Sequence, residues 1–354
     1  MTWTRPTEPI RSRVAYAAAH VVADAEGSVD WDHTLAFRHE LWSWGLGVAD
    51  AMDTAQRGMG LDWPTARELI VRSAAEARSV GGDLVCGAGT DQLDPEVSPT
   101  LAAVTAAYRE QLDAVVSAGA IPVLMASRAL AGIAAGPEDY LRVYDDLLGD
   151  LDSPVILHWL GPMFDPALEG YWGSTDLGVA TKTFVSLIEA HADRIDGVKV
   201  SLLDADHEIA LRHQLPAGVR LYTGDDYHYP DLIVGAGDGD HSDALLGIFA
   251  AIYPAASAAL QRLDAGDASA AHAILTSTQE LSRHVFAAPT RFYKTGIAFL
   301  AWLNGHQPTF TMLGGLQDGR TAADLIRTYE LARACDLLLD PDLAAFRVRS
   351  REAP

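Results

Sequence analysis

Lys199 lies in the apolar run GVKVSLL, which has the length and composition of a buried strand. An ammonium group that points into a protein interior loses solvation, which lowers its pKa and favours the neutral, nucleophilic amine. Such an amine can attack a ketone or aldehyde and form an iminium that accepts electrons from a neighbouring bond. The same pattern also fits a strand lysine that packs its stem on the helix layer and reaches solvent.

Several other polar residues end strand-like runs and are candidates for a functional site. His158 closes the run PVILHW, and an imidazole titrates in the range that acid–base catalysis at neutral pH requires. A histidine that is satisfied within the core, or that supports a catalytic group from behind, gives the same pattern. The candidate substrate-binding residues at such positions are His20, Asp53, Thr54, Gln56, Arg128 and Asp225.

The elements that must position these residues are strand-length apolar runs, which alternate with segments of helical period. The predicted strands are RVAYAAAH (13–20), VADAM (48–52), DLVCG (83–87), IPVLMA (121–126), PVILHW (154–159), GVKVS (197–201), VRLYTG (219–224) and a weak eighth, GDGDH (237–241). A doubly wound sheet would alternate in the same way. The count of eight favours a (β/α)8 barrel, in which the active site lies at the carboxyl ends of the strands.

Helix boundaries can also be read from the sequence. Pro64 begins WPTARELIVRSAAEAR, and Gly119 ends the helix that follows Pro99. After residue 254 the strand-like runs stop and helical segments take over. We therefore predict a barrel over residues 1–254 and a helical extension over 255–354, packed on the barrel or on a neighbouring subunit.

The composition excludes several classes of partner. The 26 basic and 48 acidic residues give a formal charge of -22, which disfavours nucleic acid and anionic membrane surfaces. The longest apolar stretch, ALLGIFAAIYPAASAAL, contains Pro254 and is too short to span a bilayer. The two cysteines, Cys86 and Cys335, form no disulfide or metal-binding pattern, so we expect a soluble, cytoplasmic protein.

Four segments together resemble the dihydrodipicolinate synthase and N-acetylneuraminate lyase superfamily of class I aldolases, in particular its DUF993-type branch. They are EGSVDWDHTLAFRHELWSWGLGVAD, PVILHWLGP, GVKVS and LYTGDDYHYPDLIVGAGDGD, and the tail RFYKTGIAFLAWLNGHQPTFTMLGGLQ resembles that branch's own signature. The resemblance covers most of the chain. It implies that Lys199 is the Schiff-base lysine.

The chain departs from this superfamily where the relatives bind a carboxylate. In place of the GTTGE motif, whose threonines hold a 2-oxo acid, it reads MDTAQ and keeps only Thr54. Asp53 would repel a substrate carboxylate but accepts hydrogen bonds well from sugar hydroxyls. His158 stands where the relatives have a proton-relaying tyrosine, and WLGPMFDP lacks the arginine that follows in the relatives.

These departures predict iminium chemistry on a keto-sugar or related polyhydroxy carbonyl compound, by retro-aldol cleavage or β-elimination. Lys199 would be the nucleophile and His158 the proton shuttle, with no cofactor and no bound metal. Alternatives are a classical 2-oxo acid aldolase, a sugar-binding regulator without turnover, or a metal-dependent sugar isomerase. That isomerase would use His20, His158, Asp225 and His241 around a divalent ion. The apolar C-terminal helices favour a homodimer or homotetramer.

Overall fold

Eight short parallel strands form the centre of the molecule, and each pairs with its two neighbours so that the first lies beside the eighth and the sheet closes. The computed structural model describes residues 3–94, 97–237 and 239–352. The strands are β1 (Ala15–Ala18), β2 (Gly47–Asp50), β3 (Leu84–Ala88), β4 (Ile121–Leu124), β5 (Val155–Leu160), β6 (Ile195–Ser201), β7 (Arg220–Thr223) and β8 (Asp243–Leu246). The predicted (β/α)8 barrel is confirmed.

Helices surround the barrel and alternate with its strands. They are α1 (Trp31–Ser43), α2 (Trp63–Val80), α3 (Leu101–Ala118), α4 (Arg128–Ile133), α5 (Pro137–Gly149), α6 (Leu177–Ala190), α7 (Ala205–Arg212), α8 (Tyr229–Val234) and α9 (Phe249–Asp264). Their ends follow local sequence chemistry: the Asp62 side chain accepts a hydrogen bond from the Thr65 amide at the start of α2. Gly119 ends α3 in the left-handed region at a φ of 84°.

The eighth strand lies a few residues beyond the run that was predicted for it. The run GDGDH (237–241), of which Asp238 lies outside the described residues, instead belongs to the turn that precedes β8. Here the Ala236 amide donates to the Asp240 carbonyl at 3.1 Å. Gly235 has a φ of 72°, and a Cβ there would lie 2.0 Å from the same carbonyl oxygen. The glycines therefore serve a tight turn, and the apolar residues after it form the strand.

The amino-terminal half of the barrel interior is filled by apolar and aromatic side chains. Tyr16 and Tyr222 face each other with ring centroids 6.0 Å apart. Gly47 makes room for Tyr16 and Gly197 for Tyr222, since a Cβ on either glycine would lie within 2.6 Å of a ring atom. This half of the interior is thus a packed core, and the Tyr222 hydroxyl at its base donates to the Asp196 carboxylate.

The C-terminal extension covers the barrel at those carboxyl ends. Its helices are α10 (Ala268–Ser277), α11 (Gln279–Val285), α12 (Tyr293–Leu303), α13 (Ala322–Ala334) and α14 (Pro341–Glu352). Ser282 donates to the Asp226 carbonyl at 2.5 Å, and Tyr227 donates to the Phe286 carbonyl at 2.9 Å. These bonds attach the extension to the loop after β7. The predicted division at residue 254 falls inside α9.

The helices can be compared with the length and apolarity that a membrane span requires. None of the helices in the described ranges is long and apolar enough to cross a membrane. Both Cys86 and Cys335 are free thiols.

Candidate active site

Lys199 lies on β6 with its side chain at the upper end of the barrel interior. It pairs in register with His158 on β5 and Tyr222 on β7, and only 8% of its surface is exposed. Gly224 makes this placement possible, because a Cβ there would lie 2.9 Å from the Lys199 Cε and 2.1 Å from the Ser201 Oγ. Among the residues that the structure describes, the Lys199 amine has no hydrogen-bond or ion-pair partner.

Burial of Lys199 favours loss of its proton, and its charged neighbours act against that effect. Burial lowers the pKa of Lys199, and the carboxylates of Asp53 and Asp226 oppose that shift. Burial also raises the pKa of the Asp226 carboxyl, whose oxygen accepts a hydrogen bond from the Ile248 amide at 2.9 Å. The two groups shift toward each other, so a proton can pass between them at little cost.

Lys199 and Asp226 line a cavity of about 20 Å³, room for about one water molecule. Its far wall is Tyr293, at the start of α12, whose hydroxyl lies 2.9 Å from the Thr54 Oγ. The Tyr293 ring stacks on Phe286 with centroids 4.4 Å apart. Burial raises the pKa of Tyr293 well above its usual range, so its hydroxyl keeps its proton and can donate a hydrogen bond.

A second cavity of about 390 Å³ adjoins the first and shares with it Asp53, Leu160, Phe164 and Tyr293. Three cationic side chains on its wall are Arg128, Arg291 and Lys294. A third opening of about 630 Å³ continues past Asp53 and Arg128 to the surface. Asp53 therefore lies at the junction of all three spaces.

Arg128 and Lys294 differ in how they are held. Arg128, at the start of α4, forms an ion pair with Asp165 in the loop after β5. Lys294 is only 4% exposed, and its amine contacts the Met59 sulfur at 3.3 Å. Burial lowers the pKa of Lys294 to about 8, and Arg128 acts in the same direction, whereas Asp53 and Asp165 oppose the shift.

His158 lies beside Lys199 but behind the cavity wall. Its Nε2 is 3.2 Å from the Ser201 Oγ, and Ser201 lines the small cavity while His158 does not. Burial, followed by the charge of Lys199, lowers the pKa of His158 well below its usual range. An imidazolium here would be both desolvated and repelled, which works against titration of His158 near neutral pH.

Three of the predicted substrate-binding residues do not line these cavities. The His20 Nε2 lies 2.8 Å from the Gln307 side chain, and Gln56 donates to the Leu313 carbonyl at 2.7 Å. Asp225 accepts from the amide of His228 and pairs with its ring at 2.8 Å. Each is buried by contacts that stabilise a loop or attach the extension. Asp53, Thr54 and Arg128, by contrast, do line the cavities.

The same contacts separate the residues of the metal-dependent alternative. His20 and Asp225 bond to Gln307 and His228, and His158 faces Ser201. Within the described ranges, no three histidine, cysteine or carboxylate side chains come together in a way that can hold a metal ion. The donor set that this alternative requires is therefore not assembled.

Sequence reasoning missed Tyr293 and Lys294, which reach the site from the extension. One signal was present: of 26 basic residues only three are lysines, at positions 182, 199 and 294. An amine can lose its proton whereas a guanidinium cannot, so each of the three lysines was a candidate for a functional amine, although Lys182 is exposed. Two of the three lysines meet at this site.

Comparisons with known proteins place the chain on a common scaffold. Dihydrodipicolinate synthase from Aquifex aeolicus matches with a TM-score of 0.71 at 13% identity, covering 93% of this chain and 99% of that one. YagE from E. coli K12, a protein of the dihydrodipicolinic acid synthase family in complex with pyruvate, matches with a TM-score of 0.73 at 13% identity, covering 92% and 99%. The chloride inhibited enzyme from Acinetobacter baumannii, complexed with pyruvate, matches with a TM-score of 0.70 at 16% identity, covering 92% and 100%.

At such identities the likeness concerns the fold. The comparison with curated proteins gives no match. A family model described as "Protein of unknown function (DUF993)" matches residues 1–352. The chain therefore belongs to the DUF993 family, a divergent branch on the dihydrodipicolinate synthase fold.

Proposed function

We propose that this protein is a Schiff-base-forming lyase, aldolase-like, that acts on a keto-sugar or related polyhydroxy carbonyl compound without a cofactor. The observation that carries the proposal is the Lys199 amine, which is buried, has no partner among the described residues and faces a cavity beside the Asp226 carboxyl. The likeness in fold to proteins of the dihydrodipicolinate synthase family, two of which were solved with pyruvate, supports the same class of chemistry.

The reaction begins with a proton transfer from the Lys199 ammonium to the Asp226 carboxylate. The neutral amine attacks the carbonyl carbon, and the electrons of the carbonyl π bond move to oxygen, which takes up one proton from the attacking nitrogen. The resulting hydroxyl takes a second proton from the Asp226 carboxyl. Loss of that oxygen as water leaves an iminium on Lys199. The Tyr293 hydroxyl, held by Thr54, is placed to donate a hydrogen bond to the oxygen during addition.

Cleavage then follows from the iminium as electron acceptor. A base removes the proton of the hydroxyl on the β carbon, and the electrons of the α–β carbon bond move into the iminium, giving an enamine and a free aldehyde. Protonation of the enamine and hydrolysis by water release the second product and Lys199. For dehydration the base instead removes an α proton and the β-hydroxyl leaves as water.

Two routes can carry these protons. Asp226 lines the cavity, and its raised pKa suits a group that gains and loses a proton near neutral pH. His158 can act through Ser201, whose hydroxyl lies between the imidazole and the cavity. We propose Asp226 as the group that exchanges the proton with Lys199, and His158 as the relay behind Ser201.

The residues that line the cavities also indicate which class of substrate can bind. Asp53, beside the small cavity, disfavours a carboxylate bonded directly to the reacting carbonyl and accepts hydrogen bonds from hydroxyl groups. Arg128 is already paired with Asp165. A classical 2-oxo acid aldolase remains the second candidate, because pyruvate is the bound compound in structures of the same fold.

Borohydride trapping tests the proposal, because reduction turns the iminium into a stable secondary amine. A panel of keto-sugars, keto-sugar acids and phosphates, and pyruvate is offered, and the adduct is mapped by mass spectrometry among the three lysines. We expect a polyhydroxy ketone to modify Lys199, and Lys199→Met to abolish both adduct and turnover. Lys182→Met, which removes an exposed lysine, is the control. An adduct at Lys182 or Lys294, or efficient turnover of pyruvate with aspartate semialdehyde, would contradict the proposal.

A further inference from the structure

Lys294 is the second buried amine of the site, and the chemistry described above does not use it. It lies on the wall of the 390 Å³ cavity, and within the described residues its amine has a thioether sulfur as its hydrogen-bond partner. A thioether is a weak acceptor and carries no charge. A buried ammonium without a carboxylate or carbonyl partner is costly, so its placement here requires an explanation.

The other charged groups on this wall make the surroundings of Lys294 cationic. Arg128 and Arg291 accompany it, against the two carboxylates of Asp53 and Asp165. The pair of Arg128 with Asp165 leaves Lys294 and Arg291 facing Asp53. In a chain of formal charge -22, a cavity whose cations outnumber its carboxylates is an exception. The three cationic side chains exceed the two carboxylates by one charge, and an anionic ligand can neutralise that charge.

We infer that the cavity around Lys294 binds an anionic group, a phosphate or a carboxylate, at the end of the substrate remote from the reacting carbonyl. The inference rests on the proposed function, since it assigns the second half of the same substrate. Lys294 and Arg291 would donate charge-assisted hydrogen bonds to the anion, which are stronger than those between neutral groups. Burial of Lys294 away from water strengthens its attraction for an anion further.

The way in which the two cavities join sets the order of groups along the substrate. Both are lined by Asp53, Leu160, Phe164 and Tyr293, so one extended molecule can reach from Lys199 to Lys294. Asp53 at the junction would accept hydrogen bonds from hydroxyls between the two ends. The substrate class is then a polyhydroxy ketone with its anionic group at the far end, and not a 2-oxo acid, whose carboxylate adjoins the carbonyl.

Ligands that lack a carbonyl test the anion site without any Schiff-base chemistry. Glycerol 3-phosphate and glycerate carry the two possible anions, and glycerol is the neutral reference. Calorimetric titration of the wild-type protein should show binding of one or both anions and none of glycerol. The tighter of the two identifies phosphate or carboxylate as the group recognised.

Variants assign that binding to particular residues. Lys294→Gln should weaken it roughly ten- to hundredfold, the usual loss for a hydrogen bond to a charged group. Lys294→Arg should restore part of it, and Lys182→Gln, the same change at an exposed lysine, should have no effect. Because Arg291 is exposed, Arg291→Gln offers a second test that does not disturb a buried position.

The outcomes separate this inference from the proposed function. Anion binding that is no tighter than that of glycerol, or that is unchanged in both Lys294→Gln and Arg291→Gln, would overturn the anion site even if Lys199 is trapped by borohydride. Anion binding that depends on Lys294, with no adduct at Lys199 from any compound, would keep the site and refute the lyase. A borohydride adduct at Lys294 would make it a nucleophile and overturn the inference.

Discussion

Lys199 and Lys294 are both buried amines that line adjoining cavities, yet their surroundings differ. Lys199 projects from a barrel strand and has Asp53 and Asp226 as its charged neighbours. Lys294 projects from the extension, where the charge of Arg128 adds to the effect of burial. Burial lowers both pKa values, so burial alone does not distinguish a nucleophile from an anion-binding group.

The neighbouring groups make that distinction. A carboxyl with a raised pKa beside Lys199 can take the lysine proton and return it, which nucleophilic catalysis requires. Arginines beside Lys294 cannot accept a proton, because a guanidinium stays charged in proteins. The same side chain is thus suited to bond formation at one end of the site and to charge recognition at the other.

The largest expected effect comes from Asp226→Asn. This variant removes the carboxyl beside Lys199 and leaves the charged neighbours of Lys294 in place. We expect kcat to fall by roughly 10²- to 10⁴-fold, the usual loss for a positioned acid or base. The acid limb of the pH profile should also move to lower pH. Asp226 stabilises the Lys199 ammonium and so raises its pKa, and the variant loses that contribution.

Steady-state kinetics between pH 5 and 10 measure both effects (roughly the range in which the pair can titrate). Asp225→Asn is the control, because the adjacent carboxyl pairs with His228 and lies outside the cavities. An acid limb that stays in place, or moves to higher pH, would show that Asp226 does not control the protonation of Lys199.

A smaller effect is expected from His158→Phe, since His158 reaches the cavity only through Ser201. We expect kcat to fall by roughly 10²-fold, at the lower end of the range for proton-transfer groups. The pH limbs should not move, because burial and the charge of Lys199 lower the pKa of His158 well below its usual value. The measurement is kcat as a function of pH for His158→Phe. The control is His20→Phe, which removes a buried histidine that does not line the cavities. A kcat near that of the wild type would make His158 a packing residue.

The smallest effect is expected from Tyr293→Phe, on the wall that both cavities share. Loss of one neutral hydrogen bond typically costs about 0.5 to 1.5 kcal/mol, or roughly 2- to 12-fold in kcat/KM. Tyr253→Phe, which removes a hydroxyl 3.0 Å from His306, is the matched control in a neighbouring helix. Equal losses in the two variants would mean that the Tyr293 hydroxyl does not contact the reacting oxygen.

The sequence predicted the barrel and the position of its lysine because both depend on local patterns. Alternation of apolar runs locates the strands, and an apolar run around Lys199 implies burial wherever that strand packs. The eighth strand was misplaced because the run around Gly235 is rich in glycine, and the strand after it has only four residues. Short strands give a weak periodic signal.

The walls of the site were harder to predict, because distant segments form them. Thr54 meets Tyr293 across 239 positions, a contact that no local pattern indicates. Gln56 and His20 are residue types common in binding sites, but here their side chains form hydrogen bonds with residues of the extension. The scarcity of lysine was visible in the sequence, but it pointed equally to Lys294 and to the exposed Lys182.

Tyr293 and Lys294 stand next to each other at the start of α12, outside the barrel strands. In the proposed reaction the nucleophile comes from a barrel strand, whereas the group that recognises the far end of the substrate comes from the extension. Under this proposal, exchange of Arg291 or Lys294 would redirect a duplicated copy of the gene to a substrate with a different far end while Tyr293, β6 and Lys199 stay intact. The extension would then offer a way to change the substrate that leaves the nucleophile and its barrel strand unchanged.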